Sequence, residues 1–279
     1  LSFAGRIAVA PDRQLFVRDE GGDAARTPVL LLHGFTGCGE TMRVAAQALP
    51  GRRQLFVDLP GHGESDAPHN VNDYAMECCT RDLLAVLDAR GVARAHLLGY
   101  SLGARVALGL ALAAPQRAAS LLLVGARAGL ADAAARSARR RADEQLADDI
   151  LARGMEWFAD YWMALPLFQS QRRLGAEFLA AARAQRLRNR PEGLANSLRG
   201  IGLGAQPPLA DLLAKLEVPA LFITGALDAR FDEAADELAR RMPRACRAVL
   251  PQAGHAAHLE NPRAFSRALR RFLAAVEAK

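Results

Sequence analysis

Gly99-Tyr100-Ser101-Leu102-Gly103 is the stretch that decides how this 279-residue chain is read. The five residues match G-x-S-x-G. They follow the apolar run Ala95-His96-Leu97-Leu98, read as a strand, and precede 102–114, read as a helix. A chain that passes from strand to helix at Ser101 must turn sharply, so small residues two places to either side prevent clashes. The Ser101 hydroxyl then stands clear at a helix N-terminus, where the dipole and free N–H groups favour developing negative charge.

Outward from this elbow, short apolar runs alternate with amphipathic stretches. Val29-Leu30-Leu31-Leu32, Gln54-Leu55-Phe56-Val57 and Ser120-Leu121-Leu122-Leu123-Val124 read as buried strands, and Leu83, Leu84 and Leu87 mark a helix within 74–90. Past residue 215 the alternation resumes: Ala220-Leu221-Phe222-Ile223-Thr224 (strand), 232–241 (helix), Arg247-Ala248-Val249-Leu250 (strand) and 262–276 (helix). Such alternation predicts an α/β protein with a mostly parallel central sheet covered by helices on both faces. Residues 127–215 contain no convincing strand and hold both tryptophans, Trp157 and Trp162. They read as a helical cap inserted into a core made of 1–126 and 216–279.

The net charge of +6 comes from arginine, notably Arg139, Arg140 and Arg141, then Arg183, Arg186, Arg188 and Arg190. No aromatic residues interleave with these runs to stack bases, so solvated helix faces are expected rather than a nucleic-acid surface. Cys38, Cys78, Cys79 and Cys246 make neither a C-x-x-C pair nor zinc spacing, which predicts no metal and a reducing cytoplasm. No apolar run reaches membrane-spanning length, and no charged-then-apolar leader is present. The chain opens on Leu1, as a processed or trimmed end would.

Serine is a poor nucleophile or base unless a histidine takes its proton and a carboxylate orients that histidine. With a serine at a strand-to-helix elbow, the acid and then the histidine follow in chain order. Asp228 ends Gly225-Ala226-Leu227-Asp228 after one strand, and His255 ends Gln252-Ala253-Gly254-His255 after the last. Asp232 and Asp236 are weaker candidates inside a helix, and His258 is the rival base. The backbone N–H groups of Phe35 and Leu102 are expected to form the oxyanion hole. His33 and His62 are expected to brace turns.

These motifs recur together in the α/β-hydrolase superfamily. Four segments resemble 2-succinyl-6-hydroxy-2,4-cyclohexadiene-1-carboxylate synthases in particular: Leu32-His33-Gly34-Phe35-Thr36-Gly37, Asp58-Leu59-Pro60-Gly61-His62-Gly63, Gly99 through Leu108, and Ala253 through Pro262. So do Asp160-Tyr161-Trp162, Leu165-Pro166-Leu167-Phe168 and Gly204 through Leu209. The chain departs from that pattern at Gly125-Ala126-Arg127-Ala128-Gly129-Leu130 and at Ala104. The resemblance implies a menaquinone-pathway lyase that expels pyruvate from a cyclohexene adduct, using Ser101, Asp228 and His255 and no cofactor. It implies that Arg139 and Arg186 bind carboxylates of a small polycarboxylate substrate, that Tyr100 lies near the reacting ring, and that Tyr161 or Trp162 lines the pocket. An arginine fork grips a carboxylate through two parallel hydrogen bonds, so an arginine-rich cap suits such a substrate. Two other readings use the same residues. One is a serine hydrolase acting on esters, lactones or carbon–carbon bonds; the other is a ligand-binding protein that keeps the triad without catalysis.

Overall fold

The computed structural model describes residues 2–278. Its eight strands form one sheet: β1 (Phe3–Ala10), β2 (Arg13–Glu20), β3 (Val29–Leu32), β4 (Gln54–Val57), β5 (Ala95–Tyr100), β6 (Ala118–Val124), β7 (Ala220–Gly225) and β8 (Ala245–Leu250). The spatial order is β1-β2-β4-β3-β5-β6-β7-β8. Only β2 runs against its neighbours; every pairing from β4 to β8 is parallel.

The near-continuous apolar runs follow from burial on both faces. Side chains alternate across a strand, so Leu121 and Leu123 of β6 enter one core and Leu122 and Val124 the other. The first core is closed by the helices Met76–Ala89 and Leu102–Ala113 through Leu83, Leu87, Val106 and Leu110. The second is closed by Pro262–Glu277 through Phe265, Leu269 and Phe272. Each such side chain contributes about 2 kcal/mol of hydrophobic stabilisation when fully buried. Pro262 starts the last helix, and the Asn261 side chain caps it by accepting the Ala264 N–H at 3.0 Å.

The β1–β2 hairpin was not among the strands read from the sequence. Its signal is a weak alternation, Ile7 inward on β1 and Leu15 and Val17 inward on β2, around the turn Pro11-Asp12. Buried Asp19 on β2 holds it to the sheet by accepting from Arg53 at 2.9 Å and Arg90 at 2.8 Å.

Between β6 and β7 the described chain is helical: Ala133–Ala164, Pro166–Leu174, Ala176–Leu187, Pro191–Ile201 and Ala210–Lys215. The first of these breaks at Gly154, whose φ of 80° and ψ of 176° lie outside helical space. Ile150, Phe158, Leu194 and Leu198 form a separate small core, against which Phe35 and Trp162 pack. Arg140 and Arg141 lie on solvated helix surface. Arg183 pairs with Asp160 across two helices, also at the surface. No helix among the described residues is long and apolar enough to cross a membrane.

Candidate active site

Ser101 sits between β5 and the helix Leu102–Ala113 with φ 51° and ψ −106°. That left-handed backbone is costly for a residue with a side chain and is sustained by its surroundings. The Ser101 N–H bonds to Val124 O at 2.8 Å. Both flanking glycines are obligatory. A Cβ on Gly99 would lie 2.3 Å from Gly103 O, and one on Gly103 would lie 2.1 Å from Leu32 O.

The Ser101 Oγ lies 3.1 Å from His255 Nε2, and His255 Nδ1 lies 3.0 Å from Asp228 Oδ2. Asp228 follows β7 and His255 follows β8, so the three side chains meet at the C-terminal edge of the parallel strands, where open α/β sheets place their sites. Gly125 makes room for the imidazole: a Cβ there would stand 2.8 Å from His255 Cε1. The rival acids are engaged elsewhere. Asp232 accepts from Thr224 and Arg247, and Asp236 pairs with Arg240 and Arg247. His258 is buried against Tyr100 at 4.8 Å between ring centroids and makes no bond to Ser101. Burial pushes its pKa down to about 3, so it is neutral where an enzyme works.

His33 joins two loops. Its Nδ1 donates to Gly34 O at 2.8 Å, and its Nε2 accepts the Leu59 N–H at 2.9 Å. Full burial lowers its pKa to about 4, which keeps this donor–acceptor pattern intact. His62 hydrogen-bonds Pro60 O at 3.0 Å within its own turn. Glu260, a brace not read from the sequence, accepts the N–H groups of Gly254 (2.8 Å) and Ala256 (3.3 Å) on either side of His255.

Above Ser101 opens a cavity of about 880 Å³ between the sheet edge and the helices that follow β6. Phe35, Tyr100 and Leu102 line it beside the serine. Leu102 opens its helix, so its N–H is among those with no partner inside the helix. Gly34 lets the loop close on the site, since a Cβ there would meet the Tyr100 ring at 2.7 Å.

Of the cap residues singled out, Arg139 and Trp162 line the cavity. Arg139 is oriented by Asp143 at 2.8 Å, and the Trp162 Nε1–H is buried with no acceptor in the protein. Tyr161 needs correction as a pocket residue. It is 42% exposed and stacks on Trp157 at 5.1 Å, because adjacent helical positions point about 100° apart. Arg186 is not on the cavity wall. It lies close enough to Tyr100 to interact with it electrostatically, donates to Ala182 O at 2.7 Å and keeps a buried Nε–H without an acceptor. Burial lowers its pKa.

Three further arginines reach the cavity: Arg105 and Arg230, which the sequence reading did not single out, and Arg127, for which it left a carboxylate contact and a solvent-facing position both open. Arg105 lies one helical turn after Ser101 and donates to Ile201 O (2.9 Å) and Gln206 Oε1 (2.5 Å). Burial pushes its pKa down to about 10, so it stays charged near neutral pH. The i+4 spacing from Ser101 on the helix was the available signal.

The match to known proteins agrees with this geometry. A family model described as the alpha/beta hydrolase fold matches residues 27–262. The chain belongs to the alpha/beta hydrolase fold family. A Bacillus subtilis (strain 168) protein is 37% identical over 97% of this chain and 98% of its own length. Its name marks it as a candidate 2-succinyl-6-hydroxy-2,4-cyclohexadiene-1-carboxylate synthase. The Serratia proteamaculans (strain 568) protein of that synthase name is 33% identical over 90% of this chain and 95% of its own. Among solved structures, MenH from S. aureus superposes with a TM-score of 0.88 at 30% identity, covering 94% of this chain and 98% of that one. A thermophilic esterase from Thermogutta terrifontis, solved with malate bound, gives 0.84 at 29% identity over 98% and 99%. Within the alpha/beta hydrolase fold family the chain therefore groups with these synthases, while an esterase shares nearly the same backbone.

Proposed function

We propose that this α/β-hydrolase-fold protein is a lyase. It would eliminate pyruvate from 2-succinyl-5-enolpyruvyl-6-hydroxy-3-cyclohexene-1-carboxylate to give 2-succinyl-6-hydroxy-2,4-cyclohexadiene-1-carboxylate, in menaquinone biosynthesis. The observation that carries the choice is a serine–histidine pair in hydrogen-bond contact beneath a cavity lined by four arginines. A neutral ester offers such a wall no charge to pair with, whereas the adduct has three carboxylates. The covering segment, 127–215, is proposed to act as the cap that closes over it.

In this reading Ser101 Oγ takes the proton α to the succinyl ketone as its own proton passes to His255 Nε2. Asp228 orients the imidazole and stabilises its charged form. The carbanion pair delocalises into the ketone as an enolate, held by the N–H groups of Phe35 and Leu102. The pair then forms the new ring double bond, the existing one shifts along the ring, and the carbon–oxygen bond to the three-carbon group breaks. The departing enolate takes the proton from the imidazolium and becomes pyruvate. Arg105, Arg139 and, through Tyr100, Arg186 would hold the anionic substrate in place. All four cysteines are free, which fits a reducing cytoplasm.

The serine-hydrolase reading keeps the same triad, and the shared backbone with an esterase is what favours keeping it in view. Turnover separates the two. Pyruvate release from the adduct with slow short-chain ester hydrolysis is the expected result; fast ester hydrolysis without pyruvate release would reverse the assignment.

A further inference from the structure

The arginines of the cavity fall into two groups. Arg105 and Arg139 each have a protein acceptor, Gln206 and Asp143 respectively, that sets their direction. Arg127 and Arg230 have neither an ion-pair nor a hydrogen-bond partner among the described residues, although both line the cavity. Elsewhere several partly buried arginines pair with carboxylates: Arg13 with Asp82, Arg53 and Arg90 with Asp19, and Arg199 with Glu144. Arg127 is instead held by stacking, with its guanidinium 5.0 Å from the centroid of the Phe231 ring. Phe231 in turn packs on His255 at 4.3 Å between centroids.

The position of the pair follows from topology. Arg127 lies just after β6 and Arg230 just after β7, next to Asp228. They stand on the triad-acid side of the cavity, whereas Arg139 comes from the long helix Ala133–Ala164. Burial and the nearby Arg230 both lower the pKa of Arg127. Two like charges near one another, one of them half-buried, is an arrangement that a bound anion would relieve.

We propose that Arg127 and Arg230 form a second anion subsite, which takes the carboxylate of the departing three-carbon group. This rests on the lyase reading above. The leaving group must receive a proton from the His255 imidazolium, so it must lie near that ring. The Arg127–Phe231–His255 stack holds a free guanidinium one aromatic ring away from that imidazole. Arg105 and Arg139 are left for the carboxylates on the ring side.

The test uses pyruvate and succinate as probes, with binding to the full-length protein followed by calorimetry and by competition against turnover. Arg127→Met keeps a long apolar stem near Phe231 and removes the charge together with the guanidinium N–H donors. It is expected to weaken pyruvate binding about tenfold or more while leaving succinate binding within about twofold. Arg127→Lys should restore part of the pyruvate affinity. Unchanged pyruvate binding in Arg127→Met would overturn the subsite, as would equal loss of both probes, which would mean a diffuse electrostatic effect. Absence of pyruvate binding to the wild-type protein at roughly 10 mM would overturn it as well. Failure of the lyase reading has a different signature, namely no pyruvate release from the adduct by the wild-type enzyme.

Discussion

The Glu260 carboxylate accepts the Gly254 N–H at 2.8 Å and so holds the loop whose next residue is the imidazole of the triad. Its side chain is fully buried and also receives Arg173 at 3.2 Å. A catalytic side chain on a loop needs this kind of support, because a small displacement of the base lowers the rate steeply. Glu260→Ala leaves two N–H groups without their acceptor and removes the carboxylate from Arg173, which keeps the backbone oxygens of Ser170 and Glu260. It is expected to lower unfolding stability by about 2 kcal/mol and to reduce kcat more than it raises KM. Denaturant unfolding and steady-state kinetics read the two effects; wild-type values in both would dismiss the brace.

The elbow glycines give a sharper steric prediction. Gly103→Ala drives a Cβ into the Leu32 carbonyl, a backbone atom that has nowhere to move. We expect a loss of about 1–3 kcal/mol together with loss of turnover. An active Gly103→Ala protein with an unchanged melting temperature would contradict the packing described for Ser101.

These two cases show what the sequence could and could not tell. The strands β3 and β4 and the elbow are legible because a buried parallel strand is apolar throughout and a G-x-S-x-G turn permits few residue types. The order Ser101, Asp228, His255 follows from strand positions alone. The cavity wall is another matter. Nothing in the residue types separates Tyr161, which faces solvent, from Trp162, which faces the cavity, without the phase of the helix that carries them. Likewise Arg105, Arg127 and Arg230 come from three different segments, and only the folded sheet edge brings them together. The hairpin of β1 and β2 was obscured because its inward face carries Gly5, Arg13 and Asp19 among the apolar residues.

Acid should destabilise the protein before its carboxylates titrate. His33 and His96 have pKa values lowered to about 4, and His62 and His258 to about 3, chiefly by burial. In the unfolded chain they return to about 6.5. Below that value the unfolded state binds more protons than the folded state, so stability falls as pH drops and is fully present only above it. Between pH 6.5 and 5, each of the four contributes a slope approaching about 1.4 kcal/mol per pH unit. Urea midpoints across that window measure it, and a flat profile would show that these rings are not held neutral.

Arg105→Ala and Arg139→Ala are each expected to lower kcat/KM for the carboxylated substrate by about tenfold or more, mostly through KM. Hydrolysis of a neutral ester, if any is detectable, should change little. Arg186→Ala acts through Tyr100 and should produce a smaller loss. Wild-type kinetics in both Arg105→Ala and Arg139→Ala would remove the carboxylate clamp from the account.

The most direct test is single-turnover pyruvate release from 2-succinyl-5-enolpyruvyl-6-hydroxy-3-cyclohexene-1-carboxylate by the wild-type protein and by Ser101→Ala and His255→Ala. Triad members act as a unit, so each variant should lose about a thousandfold or more of the wild-type rate while still folding and binding substrate. Rapid pyruvate release that survives both substitutions would contradict the proton-abstraction mechanism placed on Ser101 and His255.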